Sequence, residues 1–236
     1  MYTYEKVTNR IHPDWMPFFE INKDELISIL NKINNEIELN TIIYPRQKDL
    51  FRALYYYSPN DIKLTILGQD PYINEENNIP QAMGLCFSVP RSISENRSNK
   101  IPPSLKNIYK EIKNSYPDYN IPNHGLLKKW ARKEKVLLLN SSLTVIKGKS
   151  NSHAHLWIIF TDKLIKWFQD INKNSIFLLM GNFAKNKQQI IDESKHKIFI
   201  TIHPSPLSAY NGFFGCNVFK LINDCLIQNN KEPIKW

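Results

Sequence analysis

Four short stretches of the chain are apolar at most positions: residues 62–67, 136–139, 176–180 and 197–202. Each is too short for a buried helix. Each is also apolar enough to be covered on both faces, as the strands of a parallel sheet are. Between them the apolar positions change to helical spacing. PPSLKNIYKEIKNSY sets Leu105, Ile108, Tyr109, Ile112 and Tyr116 on one stripe behind a proline start. TDKLIKWFQDI does the same with Leu164, Ile165, Phe168 and Ile171, and FFGCNVFKLINDCLIQ with Val218, Leu221, Ile222, Cys225 and Leu226. An earlier helical pattern, ELISILNKI, falls within an N-terminal region over residues 1–40. Strands alternating with helices predict a parallel α/β sheet with helices on both faces. No linker-like stretch divides the chain, so residues 1–236 read as one domain.

In sheets of this kind ligands bind outside the carboxyl ends of the strands. The residues just past the four apolar runs are Gly68-Gln69-Asp70, Asn140-Ser141-Ser142, Gly181-Asn182 and His203-Pro204-Ser205. Taken singly they are ordinary. Asp and Asn after a strand are common turn formers and helix caps, and a histidine before proline can be a satisfied core residue. Taken together, an acid, an amide and an imidazole on one sheet edge have the makings of a site.

Composition narrows the chemistry. The chain has 236 residues, 42% hydrophobic and 22% charged, so it is globular and long enough for a substantial core. No apolar run approaches the roughly 18 residues of a membrane span, and the N-terminus has no apolar signal segment. The three cysteines are odd in number and form no CxxC pair, which argues against a disulfide framework or a cysteine-bound metal and for a reducing, cytoplasmic compartment. The net charge of +9 points to a phosphate-rich partner, although a chain this rich in Lys, Asn and Ile also reflects base composition. GxSxG and GxGxxG are absent and no P-loop lysine context is present. His153 and His155 have the spacing of a metal pair but no third ligand nearby, so no metal or other cofactor is expected.

In order along the chain, GQDPY, GLCFSV, IPPSL, PNHGLL, LLLNSSLTV and HPSPLSAYNGFFGCNVF closely resemble the motifs of the common, metal-free uracil-DNA glycosylases. The resemblance runs from about Ile43 to the C-terminal PIKW. It implies a three-layer α/β/α domain with a central four-stranded parallel sheet, its catalytic core over 41–236. It also implies hydrolysis of the N-glycosidic bond of uracil in single- or double-stranded DNA, which releases free uracil and leaves an abasic site. An enzyme of this kind flips the nucleotide out of the stack to reach it. By the resemblance Asp70 orients the attacking water and offsets charge on the sugar, and His203 donates from a neutral imidazole to uracil O2. Asn140 reads N3–H and O4, and rejects cytosine provided its amide is kept from rotating. Backbone N–H groups near Gln69 and Asp70 assist at the departing uracil, Tyr72 fills the space a thymine methyl would need, and Phe87 stacks on the ring. Pro102, Pro103 and Ser104 match a loop that presses on the DNA backbone, Gly181-Asn182 and Ser205 match phosphate contacts, and Leu207 matches the wedge that enters the vacated space. Monomeric action and susceptibility to a proteinaceous inhibitor are implied in the same way.

Three departures stand out. Ile73 replaces the histidine that usually follows GQDPY, Gly181-Asn182 replaces a Gly-Ser pair, and residues 91–100 form a longer polar stretch, expected to be a flexible loop near DNA. The competing reading is a DNA-binding accessory protein on the same fold with weakened catalysis; the intact Asp70, Asn140 and His203 argue against it. A relative with broader specificity for mismatched bases is disfavoured by Tyr72.

Overall fold

The structure, a computed structural model, describes residues 1–95 and 100–236. The N-terminal region contains α1 (Tyr4–Thr8), α2 (Met16–Ile21) and α3 (Lys23–Glu38). Then come β1 (Ile43–Tyr44), β2 (Leu64–Gly68), β3 (Glu75–Glu76), β4 (Ile79–Pro80), α4 (Arg91–Ser94), α5 (Pro103–Ser115) and α6 (Lys128–Lys133). The remainder is β5 (Val136–Asn140), β6 (Val145–Ile146), α7 (Ala154–Ile171), β7 (Ile176–Met180), α8 (Gly181–Lys185), β8 (Lys197–Thr201) and α9 (Val218–Gln228).

The four expected strands form one parallel sheet in the order β5-β2-β7-β8. Every residue of β2, β5 and β7 is buried, which is why they read as unbroken apolar runs. The expectation of two covered faces fails for β8. It is an edge strand, and Lys197 and Ile200 are exposed. The chain passes from β2 to β5 in one direction and from β5 to β7 in the other. Right-handed crossovers then place the intervening helices on opposite faces. Accordingly α5 packs with α9, and α7 packs with α3. The reversal puts the switch point between β2 and β7, where such sheets open a crevice at the carboxyl ends.

Local sequence explains the helix limits. Pro103 opens α5, where its missing N–H costs nothing. At the end of α7, Asn172 leaves the helix and its Nδ2 donates to the carbonyls of Pro59 (2.8 Å) and Ile62 (2.9 Å), fixing the approach to β2. In α9 the apolar stripe differs from the expected one. Leu221 is exposed and Phe219 is buried instead, its ring 5.0 Å from that of Trp236. Residues 91–94 are helical rather than loop, with Arg91 paired to Glu95 at 2.9 Å, and Lys100 pairs with Glu76 at 3.0 Å. Arg97, the third cation of that stretch, lies outside the described residues. No helix among the described residues is long and apolar enough to cross a membrane. Cys86, Cys216 and Cys225 are free thiols.

Candidate active site

The site begins with a missing side chain. Gly68, the last residue of β2, pairs with Asn140, the last of β5. A Cβ on Gly68 would lie 2.2 Å from Asn140 Oδ1 and 2.8 Å from Cys86 Cβ. Only glycine lets the Asn140 amide lie across the strand end. Backbone bonds continue the pairing past the strands, from Ser141 N to Gly68 O (2.9 Å) and Ser142 N to Gln69 O (2.8 Å). Asn140 is buried, yet among the described residues no group hydrogen-bonds its side-chain amide. The amide lines the cavity rather than being sealed in the core, so its hydrogen-bonding capacity is open to a ligand. Close packing against Gly68, rather than a protein hydrogen bond, is what confines it.

Asp70 follows two residues later and is half-buried. Its Oδ2 accepts from Ser150 Oγ (2.8 Å) and from Asn151 N (2.6 Å), the latter presented by a left-handed backbone at φ 62°. Two fixed donors on one oxygen hold the carboxylate plane and leave Oδ1 without a protein partner among the described residues.

His203 stands two residues past β8. Its Nδ1 accepts from Ser205 N at 3.1 Å, so the proton of the neutral ring sits on Nε2. Burial holds its pKa below the usual histidine value. Gly181, at φ +83°, makes room for it: a Cβ there would lie 2.7 Å from His203 Cβ. The Phe87 ring lies 6.2 Å from the imidazole, inclined at 39°. Phe87 itself has φ 60°, a conformation rare for a bulky residue. Tyr72 helps to retain it by donating its hydroxyl to Phe87 O at 3.3 Å. Burial, with a smaller effect from Cys86, raises the pKa of the Tyr72 phenol, which stays a neutral donor.

These residues meet around a cavity of about 270 Å³ lined by Gln69, Asp70, Tyr72, Phe87, Asn140 and His203, with Ile73 and Ser104 at its wall. A larger hollow of about 620 Å³ adjoins it, sharing Gln69, Phe87 and His203 and continuing along Gly181, Asn182, Ser205 and Leu207. The sequence-derived set therefore divides into a pocket and a neighbouring groove. Pro102 and Pro103 line neither; Pro102 caps α5 and is buried, and Pro103 is exposed beside Ser104. Leu207 is 93% exposed.

Sequence reasoning missed Ser150 and Asn151, which reach Asp70 from a polar loop 80 and 81 residues further along the chain with no periodic signal of its own. It also missed the steric roles of Gly68 and Gly181. The His153/His155 pair resolves into structure. His153 is fully buried, with Nδ1 2.7 Å from Thr144 Oγ1 and Nε2 3.0 Å from Glu36 Oε2, and both ring nitrogens are engaged. Among the described residues no three His, Cys, Asp or Glu side chains group to hold a metal ion.

A parallel sheet with helices on both faces, whose strand ends bring an amide, a carboxylate and a neutral imidazole around a small hollow, has the layout of an α/β enzyme. The comparisons narrow the class. Residues 54–227 match the family model described as the uracil DNA glycosylase superfamily. The chain is 48% identical over 225 residues to the uracil-DNA glycosylase of Buchnera aphidicola from Cinara cedri, covering 94% of each chain. It is 46% identical over 211 residues to that of Escherichia coli K12, covering 89% of this chain and 87% of the relative. Among solved structures it is similar to mimivirus uracil-DNA glycosylase, with a TM-score of 0.88 and 30% identity over 98% of this chain and 88% of that one. A Y322L variant of the mimivirus enzyme, solved in complex with UGI, gives a TM-score of 0.87 at 31% identity, over 98% of this chain and 90% of that one. The chain belongs to the uracil-DNA glycosylase family.

Proposed function

We propose that this uracil-DNA glycosylase works with Asn140 reading the flipped base and with Asp70 and His203 acting on opposite partners of the breaking bond. The observation that carries the assignment is the convergence of three complementary groups on the cavity of about 270 Å³: an amide that lines it without a side-chain hydrogen bond among the described residues, a carboxylate with one oxygen free, and an imidazole whose remaining proton is on Nε2. Uracil presents acceptor, donor and acceptor at O2, N3–H and O4. The Asn140 carbonyl accepts from N3–H and its NH₂ donates to O4, while His203 Nε2–H donates to O2.

As the glycosidic bond breaks, the electron pair leaves with uracil and collects toward O2. The His203 hydrogen bond therefore strengthens in the transition state, as in an oxyanion hole. Positive charge collects on the deoxyribose. Asp70 Oδ1 faces it and orients the water that completes hydrolysis, the products being free uracil and an abasic site. Tyr72 excludes a C5 methyl by occupying its space, and Phe87 stacks on the ring. Asn182 and Ser205 contact phosphates along the groove and Ser104 does so from the cavity wall, and Leu207, almost wholly exposed, enters the stack. The basic charge supplies a salt-sensitive, sequence-independent term.

All these groups come from one chain, and one apolar core joins the N-terminal helices to the sheet, which supports a monomer acting as a single domain. The free thiols suit a reducing cytoplasm. The mimivirus variant was solved with UGI, and by that likeness a proteinaceous inhibitor is a candidate partner of this chain.

The test is abasic-site formation on a uracil-containing oligonucleotide in chelator, compared with Asp70→Asn. The native chain cleaves. Asp70→Asn loses turnover by about two or more orders of magnitude while DNA binding is nearly retained, because the carboxylate acts on the transition state. An Asp70→Asn variant that lost affinity in proportion to rate would remove Asp70 from this role.

A further inference from the structure

The exposed wedge has no packing of its own, so its position depends on how the loop around it is held. Both ends of that loop are tied to one helix. Asn107 Nδ2 on α5 donates to Pro204 O at 2.8 Å, just before Ser205 and Leu207. One turn further, Glu111 accepts from Gly215 N and Asn217 N, each at 2.8 Å, with Cys216 Sγ at 3.7 Å. Between them Lys110 places its ammonium 4.6 Å from the Phe214 ring.

Glu111 is fully buried, and among the described residues no Lys, Arg or His side chain pairs with it. A buried carboxylate without a cation is costly and contributes little to a core. Here it organises a turn: Gly215 and Asn217 both have left-handed backbones, φ 81° and 55°, and their amides converge on its two oxygens. The same helix begins at Pro103-Ser104, and Ser104 is the proposed phosphate contact, a reading on which the strut also rests.

We propose that α5 is a strut that fixes the wedge relative to the phosphate-pressing turn, and that Asn107 and Glu111 are positioning residues for Leu207. The proposal rests on the reading of Leu207 as the wedge. A rigid helix carrying both devices makes pressure on the backbone and entry into the stack a single rigid-body event. Gln at position 111 keeps the shape but presents an NH₂ to one of the two converging N–H groups, so the turn reopens.

The experiment measures kcat/KM for uracil in the same oligonucleotide, single-stranded and paired, together with thermal melting. The proteins are the native chain, Glu111→Gln, Asn107→Ala, Leu207→Ala and the Glu111→Gln/Leu207→Ala double variant. Glu111→Gln is expected to lose about tenfold on the paired substrate and under about threefold on the single strand, where no stack has to be entered. In the Leu207→Ala background its further loss should shrink to under about twofold. Equal losses on both substrates, a full loss persisting without Leu207, or no loss in a folded Glu111→Gln protein would each overturn the strut. Should Glu111→Gln melt below the assay temperature, Asn107→Ala removes a single hydrogen bond and carries the same expectations at about threefold. If Leu207→Ala itself showed no selective loss on paired DNA, the wedge reading would fall and the strut with it. A selective Leu207→Ala beside an inert Glu111→Gln removes the strut alone.

Discussion

Gly68→Ala tests whether base reading depends on an empty Cβ position. The added methyl would lie 2.2 Å from Asn140 Oδ1 and 2.8 Å from Cys86 Cβ. Contact distance is about 3.5 Å or more, so the amide side is short by more than about 1 Å. Cys86 is fully buried and cannot retreat, and the β2–β5 pairing holds both backbones. The amide is the part free to move, because no protein hydrogen bond holds it among the described residues. Overpacking of this kind costs about 1–3 kcal/mol of stability, or roughly 2–12 °C of melting temperature for a chain this size. Displacing a reading group by about 1 Å costs on the order of 100-fold in rate. The expected result is a folded protein with kcat/KM for uracil release down about 100-fold and affinity for uracil-free DNA unchanged, since the groove is untouched. Release kinetics, melting and filter binding check the three parts. A folded Gly68→Ala variant within about threefold of native activity would show that Asn140 does not read the base or is not confined by Gly68.

Three further outcomes are expected. Tyr72→Ala opens the wall beside the base and frees the Phe87 carbonyl, so the variant should begin to release thymine from DNA, measured as free base; unchanged exclusion of thymine would clear Tyr72 of the role. Ile73 packs against the small cluster of Tyr44, Ala82 and Val145 and its carbonyl accepts from Gly148 N at 2.9 Å. Ile73→His should therefore be tolerated and change activity or DNA affinity by about 1 kcal/mol, the worth of one hydrogen bond; an inactive Ile73→His would mean the site needs an apolar wall there. Burial lowers the folded pKa of His124, His196 and His203, with Arg91 adding to the effect at His124. A depressed folded pKa gives stability that is complete above the unfolded value near 6.5 and is lost as pH falls through the folded values. Urea midpoints should be lower at about pH 5.5 than at about pH 7.5, and the acid limb of kcat/KM should fall below about 6.5; a limb above that value would contradict a neutral His203.

The central sheet was legible because parallel strands buried on both faces announce themselves as short apolar runs, and three of the four do so along their whole length. The fourth misled. Ile198, Ile200 and Ile202 read as core, but Ile200 and Ile202 are exposed. β5 is an edge strand as well and is wholly buried, so the difference lies in what covers β8 and not in its having one neighbour. Leu221 failed similarly: its helical phase fits the stripe, but Phe219, next to the C-terminal Trp236, takes the buried place. Asp70, Asn140 and His203 were legible because each lies at the end of a strand or two residues past it. Ser150 and Asn151 were not, since a loop's destination is set by the whole fold rather than by its own residues. Gly68 and Gly181 were visible as glycines and silent about their purpose, which is to leave space for a side chain on a neighbouring strand end.

The state of the imidazole follows from the same local geometry that places the groove. Ser205 N–H points at His203 Nδ1, so protonating that nitrogen would set two donors face to face and lose the hydrogen bond. Burial opposes the charged ring as well. In the proposed mechanism, a neutral His203 leaves the Asp70 carboxylate uncompensated by an imidazolium in the shared cavity, and the developing sugar cation is then the charge it meets. A cationic histidine would bind departing uracil more strongly but would weaken that second interaction in the shared cavity. The arrangement therefore favours two moderate, opposite contributions over one strong one. The peptide that enforces it belongs to Ser205, whose side chain lines the groove, so the tautomer at the base and the surface offered to the backbone are set by adjacent atoms of one turn.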